Sequence, residues 1–262
     1  ILNFIMNLEI KMKSFYIILA NTVLFDCTSI EVEGNLTYTS EDIAAISGIK
    51  RGDNLLKVDF EAAEQSIVST FPYIDMADVS RISPTKVKIS ITEAEKWYCM
   101  RFGSKNYIIS RRGKVLEQDL DNSLPMVIGY EADSPVVGAM LASKVDGKTN
   151  LPTLVLGAAE EAGLTNITSI NMTDRFEIEV LVDNRITLQL GNSTNLESKM
   201  NVAKALIDTE IEATGSWTVD LTNPEKVPVR DDNIADNQND VPIIAEPQTE
   251  EATAESTAEA TE

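Results

Sequence analysis

The order of apolar periods between Ile30 and Glu95 leaves this chain few folds. Ile30-Glu31-Val32-Glu33 alternates apolar with acidic residues and then meets Gly34-Asn35, the pattern of a strand entering a turn. Thr39 or Ser40 can cap a short helix that carries Glu41 and Asp42 in its first turn, where the helix dipole favours negative charge. Gly48 suits the position just past that helix, and Lys50-Arg51-Gly52-Asp53-Asn54 forms a turn. Asp59 can cap a second helix, in which Phe60, Ala63 and Ile67 recur at helical spacing until Phe71-Pro72 stops it. Met76 to Ile82 reads as a strand, Ser83-Pro84-Thr85 as a tight connection, and Val87, Ile89 and Ile91 as the apolar face of a half-buried strand. The predicted order is strand, helix, helix, strand, strand. Such a module offers a sheet edge to partners and contains no evident reaction chemistry. Gly34 is expected at positive φ.

Beyond this module the pattern is richer in strands. Candidates run over 96–102, 106–110 and 114–118, separated by turns at Gly103-Ser104-Lys105 and Arg111-Arg112-Gly113. Pro125, Gly129, Pro135, Gly138 and Gly147 predict loop for most of 120–150. Leu151, Val155, Ala158 and Ala162 fall on one helical face, which ends at Gly163. A strand over 167–172 precedes a hairpin in which Phe176, Ile178, Val180 and Val182 answer Ile186, Leu188 and Leu190 across Asp183-Asn184. Leu196, Met200, Ala203 and Ile207 give another helical stripe, and Trp217, Val219 and Leu221 the last strand, ended by Pro224 and Pro228.

Charge and residue types narrow the function. The net charge of −20 argues against nucleic acid, because phosphate binding needs clustered Lys and Arg. Half of that charge lies in residues 231–262, which hold ten acidic residues and no basic one. This tail cannot bury enough apolar area to offset its ordering entropy, so it is expected to be disordered and to avoid anionic lipid. There is no histidine, which removes the usual general base and the commonest metal ligand. Cys27 and Cys99 are too few for a structural zinc site; they read as ordinary residues, with a disulfide as the lesser alternative. No phosphate loop follows Gly48 or Gly52, and Asp231, Asp232, Asp236 and Asp240 lack the glycine and glutamate of a calcium loop. Asp53, Asp59, Asp75, Asp78, Glu93 and Glu95 sit at turns and on polar faces, where solvated carboxylates are the plain reading. No catalytic residue, metal, cofactor or small-molecule substrate is predicted.

Residues 1–27 are expected to be a partial membrane anchor or leader, with Lys11 and Lys13 on the cytoplasmic side. The apolar run Phe15 to Phe25 would span only about 17 Å as a helix, against the ~30 Å of a bilayer core. The expected division is therefore 1–27 anchor, 28–95 first module, 96–230 β domain and 231–262 acidic tail. The fold class is α+β, with a β-α-α-β-β module followed by a sheet-rich domain with flanking helices.

The first module resembles a POTRA domain, and 28–230 looks like the extracytoplasmic part of the FtsQ/DivIB bacterial cell-division family. The resemblance lies in Ile30 and Val32 before Gly34-Asn35, in Gly48 with Gly52-Asp53-Asn54-Leu55, and in Phe71-Pro72-Tyr73-Ile74 with Ala77-Asp78-Val79. It continues through Pro84, Ile89-Ser90-Ile91-Thr92-Glu93, Tyr107-Ile108-Ile109-Ser110 and Gly113-Lys114-Val115-Leu116. Leu124-Pro125 with Gly129, Leu190-Gly191, Lys199 and Val219-Asp220-Leu221 complete it. Each motif alone is common; their order and spacing carry the likeness. The chain departs from the pattern at Ser110-Arg111, where an acidic residue is frequent, and at Thr222-Asn223, where an Arg and an aromatic are frequent.

The resemblance implies a non-catalytic divisome scaffold, held in the cell membrane by a single N-terminal pass and placed at the septum. Its β domain would bind FtsB (DivIC) and, through it, FtsL. Strand addition to an open edge is the physical means, and the edge expected is Trp217, Thr218, Val219, Asp220 and Leu221, as the last strand of the fold. Two other classes compete: a POTRA-containing transport or assembly factor that binds extended client chains, and a secreted enzyme.

Overall fold

The computed structural model describes residues 11–12, 24–144, 150–223 and 226–232. Most of the expected anchor and nearly all of the acidic tail lie outside these residues. No helix among the described residues is long and apolar enough to cross a membrane.

The first module consists of β1 (Ser29–Glu33), α1 (Ser40–Ile46), α2 (Phe60–Thr70), β2 (Ile74–Ser83) and β3 (Lys86–Glu93). Both helices begin where their caps predict. The Thr39 side chain accepts from Asp42 N, and that of Asp59 from Ala62 N, each satisfying an amide the helix itself cannot. The sheet order is β1-β3-β2, with β1 parallel and β2 antiparallel to β3. Ile43 from α1 and Ala63 and Ile67 from α2 close over Val79, Val87, Ile89 and Ile91 in a core that also takes in Cys27, Ile49 and Leu55. Gly34 has φ +81°, and an added Cβ would overlap the Ile91 carbonyl oxygen. Its loop is pinned by Glu93, whose carboxylate accepts from Leu36 N, Thr37 N and Thr37 Oγ1 at 2.6, 2.6 and 2.7 Å.

The second domain contains β4 (Lys96–Phe102), β5 (Lys105–Ser110), β6 (Val115–Glu117), β7 (Met126–Ile128), α3 (Leu151–Glu161), β8 (Ile167–Asn171), β9 (Ile178–Val182), β10 (Ile186–Gly191), α4 (Leu196–Thr209), β11 (Trp217–Asp220) and β12 (Val229–Asp231). Its nine strands form one mixed sheet in the order β12-β11-β10-β9-β8-β7-β4-β5-β6. Helices α3 and α4 pack one face: Val155, Leu156, Ala159, Met200, Ala203 and Leu206 share a core with Tyr98, Met100, Ile109, Val180 and Leu188. Alternation along β4, β5 and β6 sends Cys99, Ile108 and Leu116 to the opposite face, where Tyr73 and Ala94 of the first module cover them. Both thiols are free and buried.

The described part of 120–150 is mostly loop, as its prolines and glycines predict, with one short strand added. That strand, β7, joins β4 and β8 in parallel through three residues, too few to show a period. One expectation, about the last strand, needs correction. Trp217–Leu221 does not end the sheet. β12 follows it, and Asp231, placed by composition in the tail, is part of that strand.

Candidate functional site

Two sheets offer four borders, and main-chain pairing distinguishes them. At β6 the border is occupied, because Val115 N donates to Ala139 O at 2.9 Å and Gly138 N to Val115 O at 2.8 Å. On β2 the middle of the border is taken by a helix side chain, with Val79 N donating to Glu64 Oε1 at 2.8 Å. On β1 the strand is five residues long and acidic, its Glu31 and Glu33 paired with Lys86 and Lys88 of β3. The β6 and β2 borders are thus covered, and covered edges resist unwanted pairing. β1 and β12 are both short and charged, and differ in that β1 is acidic whereas β12 carries both signs. β12 is the terminal strand of the large sheet.

The residues expected to bind a partner lie together on β11, but both flanks of that strand are paired. Ile186–Gln189 of β10 runs parallel on one side and Val229–Asp231 antiparallel on the other. The premise that 217–221 carries an open main-chain edge is therefore corrected: Pro224 and Pro228 do not end the sheet, and the chain returns to add a further strand. Val219 and Leu221 are fully buried in the core. Trp217 is half-buried and donates from Nε1 to Thr214 O at 3.2 Å. Asp220 closes a turn by accepting from Thr222 N at 2.9 Å and Thr222 Oγ1 at 2.6 Å. Thr218 is buried and donates from Oγ1 to Asp232 Oδ2 at 2.7 Å.

The register of β12 decides which main-chain groups face outward. Asp220 N donates to Pro228 O at 3.1 Å and Asp232 N to Ser216 O at 2.9 Å. Alternation in an antiparallel ladder then puts Pro228, Arg230 and Asp232 on the inward set and turns the N–H and C=O of Val229 away from β11. Pro228 accepts through its inward carbonyl but has no N–H to return to Asp220 O, so the ladder gives up one bond just ahead of Val229, where the strand begins. Sequence reasoning missed the strand. Its one signal was Val227 and Val229 alternating with Pro228 and Arg230, too short to outweigh two prolines.

A second cluster joins the two domains. Lys114, only 2% exposed, donates from Nζ to Val68 O, Phe71 O and Ile74 O at 2.7, 2.9 and 2.6 Å. Burial holds its ammonium below the usual lysine range, an effect partly offset by the nearby Asp75 carboxylate. Asp75 is itself raised by burial, although Ser110 Oγ donates to it at 3.1 Å. Alongside, Tyr73 Oη and Lys96 Nζ both donate to Glu117 Oε1, at 2.6 and 2.8 Å. Burial and the bond to Glu117 push the Tyr73 hydroxyl up to about 12, while Lys96 and Tyr73 hold Glu117 below the ordinary carboxylate range. These groups are engaged with one another, an arrangement that fixes geometry. Among the described residues no group of three or more His, Cys, Asp or Glu could hold a metal ion.

Comparison with known proteins places this architecture. Residues 25–94 match the family model described as POTRA domain, FtsQ-type, and residues 100–222 match Cell division protein FtsQ/DivIB, C-terminal. The chain belongs to the FtsQ/DivIB family of cell division proteins. Cell division protein DivIB of Clostridium botulinum strain Hall is 28% identical over 189 residues, covering 68% of this chain and 71% of that relative. Cell division protein FtsQ of Corynebacterium glutamicum is 25% identical over 209 residues, covering 77% and 85%. DivIB of Clostridium tetani is 26% identical over 197 residues, covering 73% of each chain. The family match ends at residue 222, before β12.

Proposed function

We propose that this chain is a scaffold of the division machinery that captures an extended segment of an FtsB/DivIC-like protein, and through it FtsL, by adding a strand to the outer border of β12. The observation that carries this reading is the pairing pattern: β12 is the terminal strand of the nine-stranded sheet, and the N–H and C=O of Val229 turn away from β11. An incoming strand completes that ladder, and alternate side chains give it specificity. Trp217–Leu221 then act one layer back. Val219 and Leu221 fix β11 in the core, Thr218 ties down β12 through Asp232, and the partly exposed Trp217 and Asp220 remain available to a partner's side chains.

In this reading the scaffold is non-catalytic, is held at the cell membrane by its N-terminal segment and works at the septum. The family match over 100–222 favours division over the transport reading, for which the POTRA module alone would serve.

Val229→Pro tests the mechanism. It removes the outward N–H while leaving the inward bonds of Pro228 and Asp232 in place. Affinity for an FtsB/DivIC-like segment, measured with the purified full chain, should fall about tenfold or more, the loss of one well-made hydrogen bond plus steric exclusion. Val229→Ala, which keeps the amide, should bind nearly as well as the unaltered chain. Equal binding by all three proteins sinks the assignment of the border.

A further inference from the structure

We propose that the end of the first module built from residues 24–28, 50–57 and 81–85 rests against an anionic lipid surface. Main-chain bonds bring these three segments together. Leu55 N donates to Phe25 O, Cys27 N to Asp53 O and Gly52 N to Cys27 O, each at 2.8 Å, and Thr28 N donates to Thr85 O at 2.7 Å. The Arg81 guanidinium lies 5.6 Å from the centre of the Phe25 ring. β3 runs from Lys86 at this end to Glu93 at the other, where the chain passes into the second domain. The lipid-facing end is therefore the one remote from the large sheet.

Two properties coincide here. Leu24, Leu56 and Ile82 project from three separate segments and are 58, 48 and 49% exposed. Around them stand Lys50, Arg51, Lys57 and Arg81, all exposed and in no ion pair among the described residues. The neighbouring acids are partly spoken for: Asp53 Oδ2 accepts from Lys50 N at 2.7 Å, and Glu31 pairs with Lys86 at 3.7 Å. Asp26 is half-buried. The result is a locally cationic, apolar-studded end on a chain whose net charge is −20.

Basic side chains draw a protein to anionic headgroups, and scattered apolar ones bury at headgroup depth without needing a groove. The charge of the remaining chain is repelled by the same surface, so the attraction also sets an orientation. An acidic protein partner would use the lysines and arginines, but it gives no account of apolar residues on three different segments. This inference is independent of the border at β12.

The native thiols are buried, so a cysteine introduced at an exposed site takes a fluorophore selectively. The full chain would carry the reporter at Leu56→Cys or, as comparison, at Leu36→Cys, a 90% exposed position by Glu93 at the opposite end of the module. Vesicles of phosphatidylcholine with phosphatidylglycerol, containing a nitroxide lipid, should quench the reporter at 56 and spare that at 36. Pure phosphatidylcholine should quench neither strongly, and added salt should weaken the effect. Lys50→Gln, Arg51→Gln and Lys57→Gln together should raise the lipid concentration for half-quenching about tenfold or more. Equal quenching at both positions, equal quenching in both lipids, or indifference to the triple change overturns the proposal. So does an unquenched reporter at 56 that responds instead to a polyglutamate peptide, which would assign the surface to an acidic protein.

Discussion

The ammonium of Lys114 lies 2.6 Å from the main-chain carbonyl of Ile74 and draws the two domains together at one atom. Lys114 stands in the β5–β6 turn, and Ile74 opens β2 of the first module. The same ammonium satisfies Val68 O and Phe71 O, carbonyls at the C-terminal end of α2, where the helix dipole favours a cation.

Lys114→Met should therefore act at the junction more than within either core. It leaves three carbonyls without this donor, and the cost should be about 2–4 kcal/mol. The expected signature in calorimetry is a lowered transition that splits in two as the modules melt apart. A single transition at the original temperature would show that the contact contributes nothing to coupling.

Gly34 and Gly48 separate backbone strain from collision. Both have positive φ, +81° and +73°, but only at Gly34 would a Cβ strike main chain, the Ile91 carbonyl. Gly48→Ala should cost about 1 kcal/mol, the price of the left-handed region alone. Gly34→Val should cost about 3 kcal/mol or more, because β1 and β3 must separate to admit it. Denaturant midpoints with unchanged m-values would measure both, and equal costs would refute the distinction.

Glu93 gives the first module a pH dependence of known sign. Burial pushes its carboxyl up, but bonds from Thr37 and Leu36 outweigh this and hold it below its ordinary value of 4.5. The folded state thus favours the ionised form. The stability it adds is present above about pH 4.5 and is lost as pH falls through the lower folded value. Glu93→Gln should destabilise the module by about 1–2 kcal/mol at neutral pH and flatten that acid limb. A variant with the same stability profile between about pH 3 and 7 as the unaltered chain would exclude the effect.

Much of the fold was legible because its elements are long enough to show a period. Thr39 and Asp59 marked the helix starts, Val87, Ile89 and Ile91 the central strand of the first module, and Asp183-Asn184, both at positive φ, the hairpin turn. What escaped was short or non-local. Met126–Ile128 and Val229–Asp231 are three residues each and are strands only because neighbours pair with them. No pattern in the sequence could bring Lys114 to the end of α2. The candidate border shifted by one strand for the same reason: the apolar signal of Val219 and Leu221 reports burial in the core, whereas an open edge is a property of the main chain.

Asp232 provides the test that separates seating β12 from using it. Its Oδ2 accepts from Thr218 Oγ1 at 2.7 Å, its N donates to Ser216 O at 2.9 Å, and its Oδ1 accepts from Arg230 Nε at 3.0 Å. Asp232→Ala keeps the main-chain bond and loses both side-chain bonds, leaving the buried Thr218 hydroxyl without that acceptor. The core residues Val219 and Leu221 do not touch this change, so global stability should fall by only about 1 kcal/mol. Amide exchange at Asp220, whose N–H is held by Pro228 O, should speed up by about tenfold or more as β12 frays. If an incoming strand reads β12, partner affinity should drop in parallel with that fraying, and Asp232→Asn, which can still accept from Thr218, should recover both together. Fraying without loss of affinity would move the partner to another border of the fold.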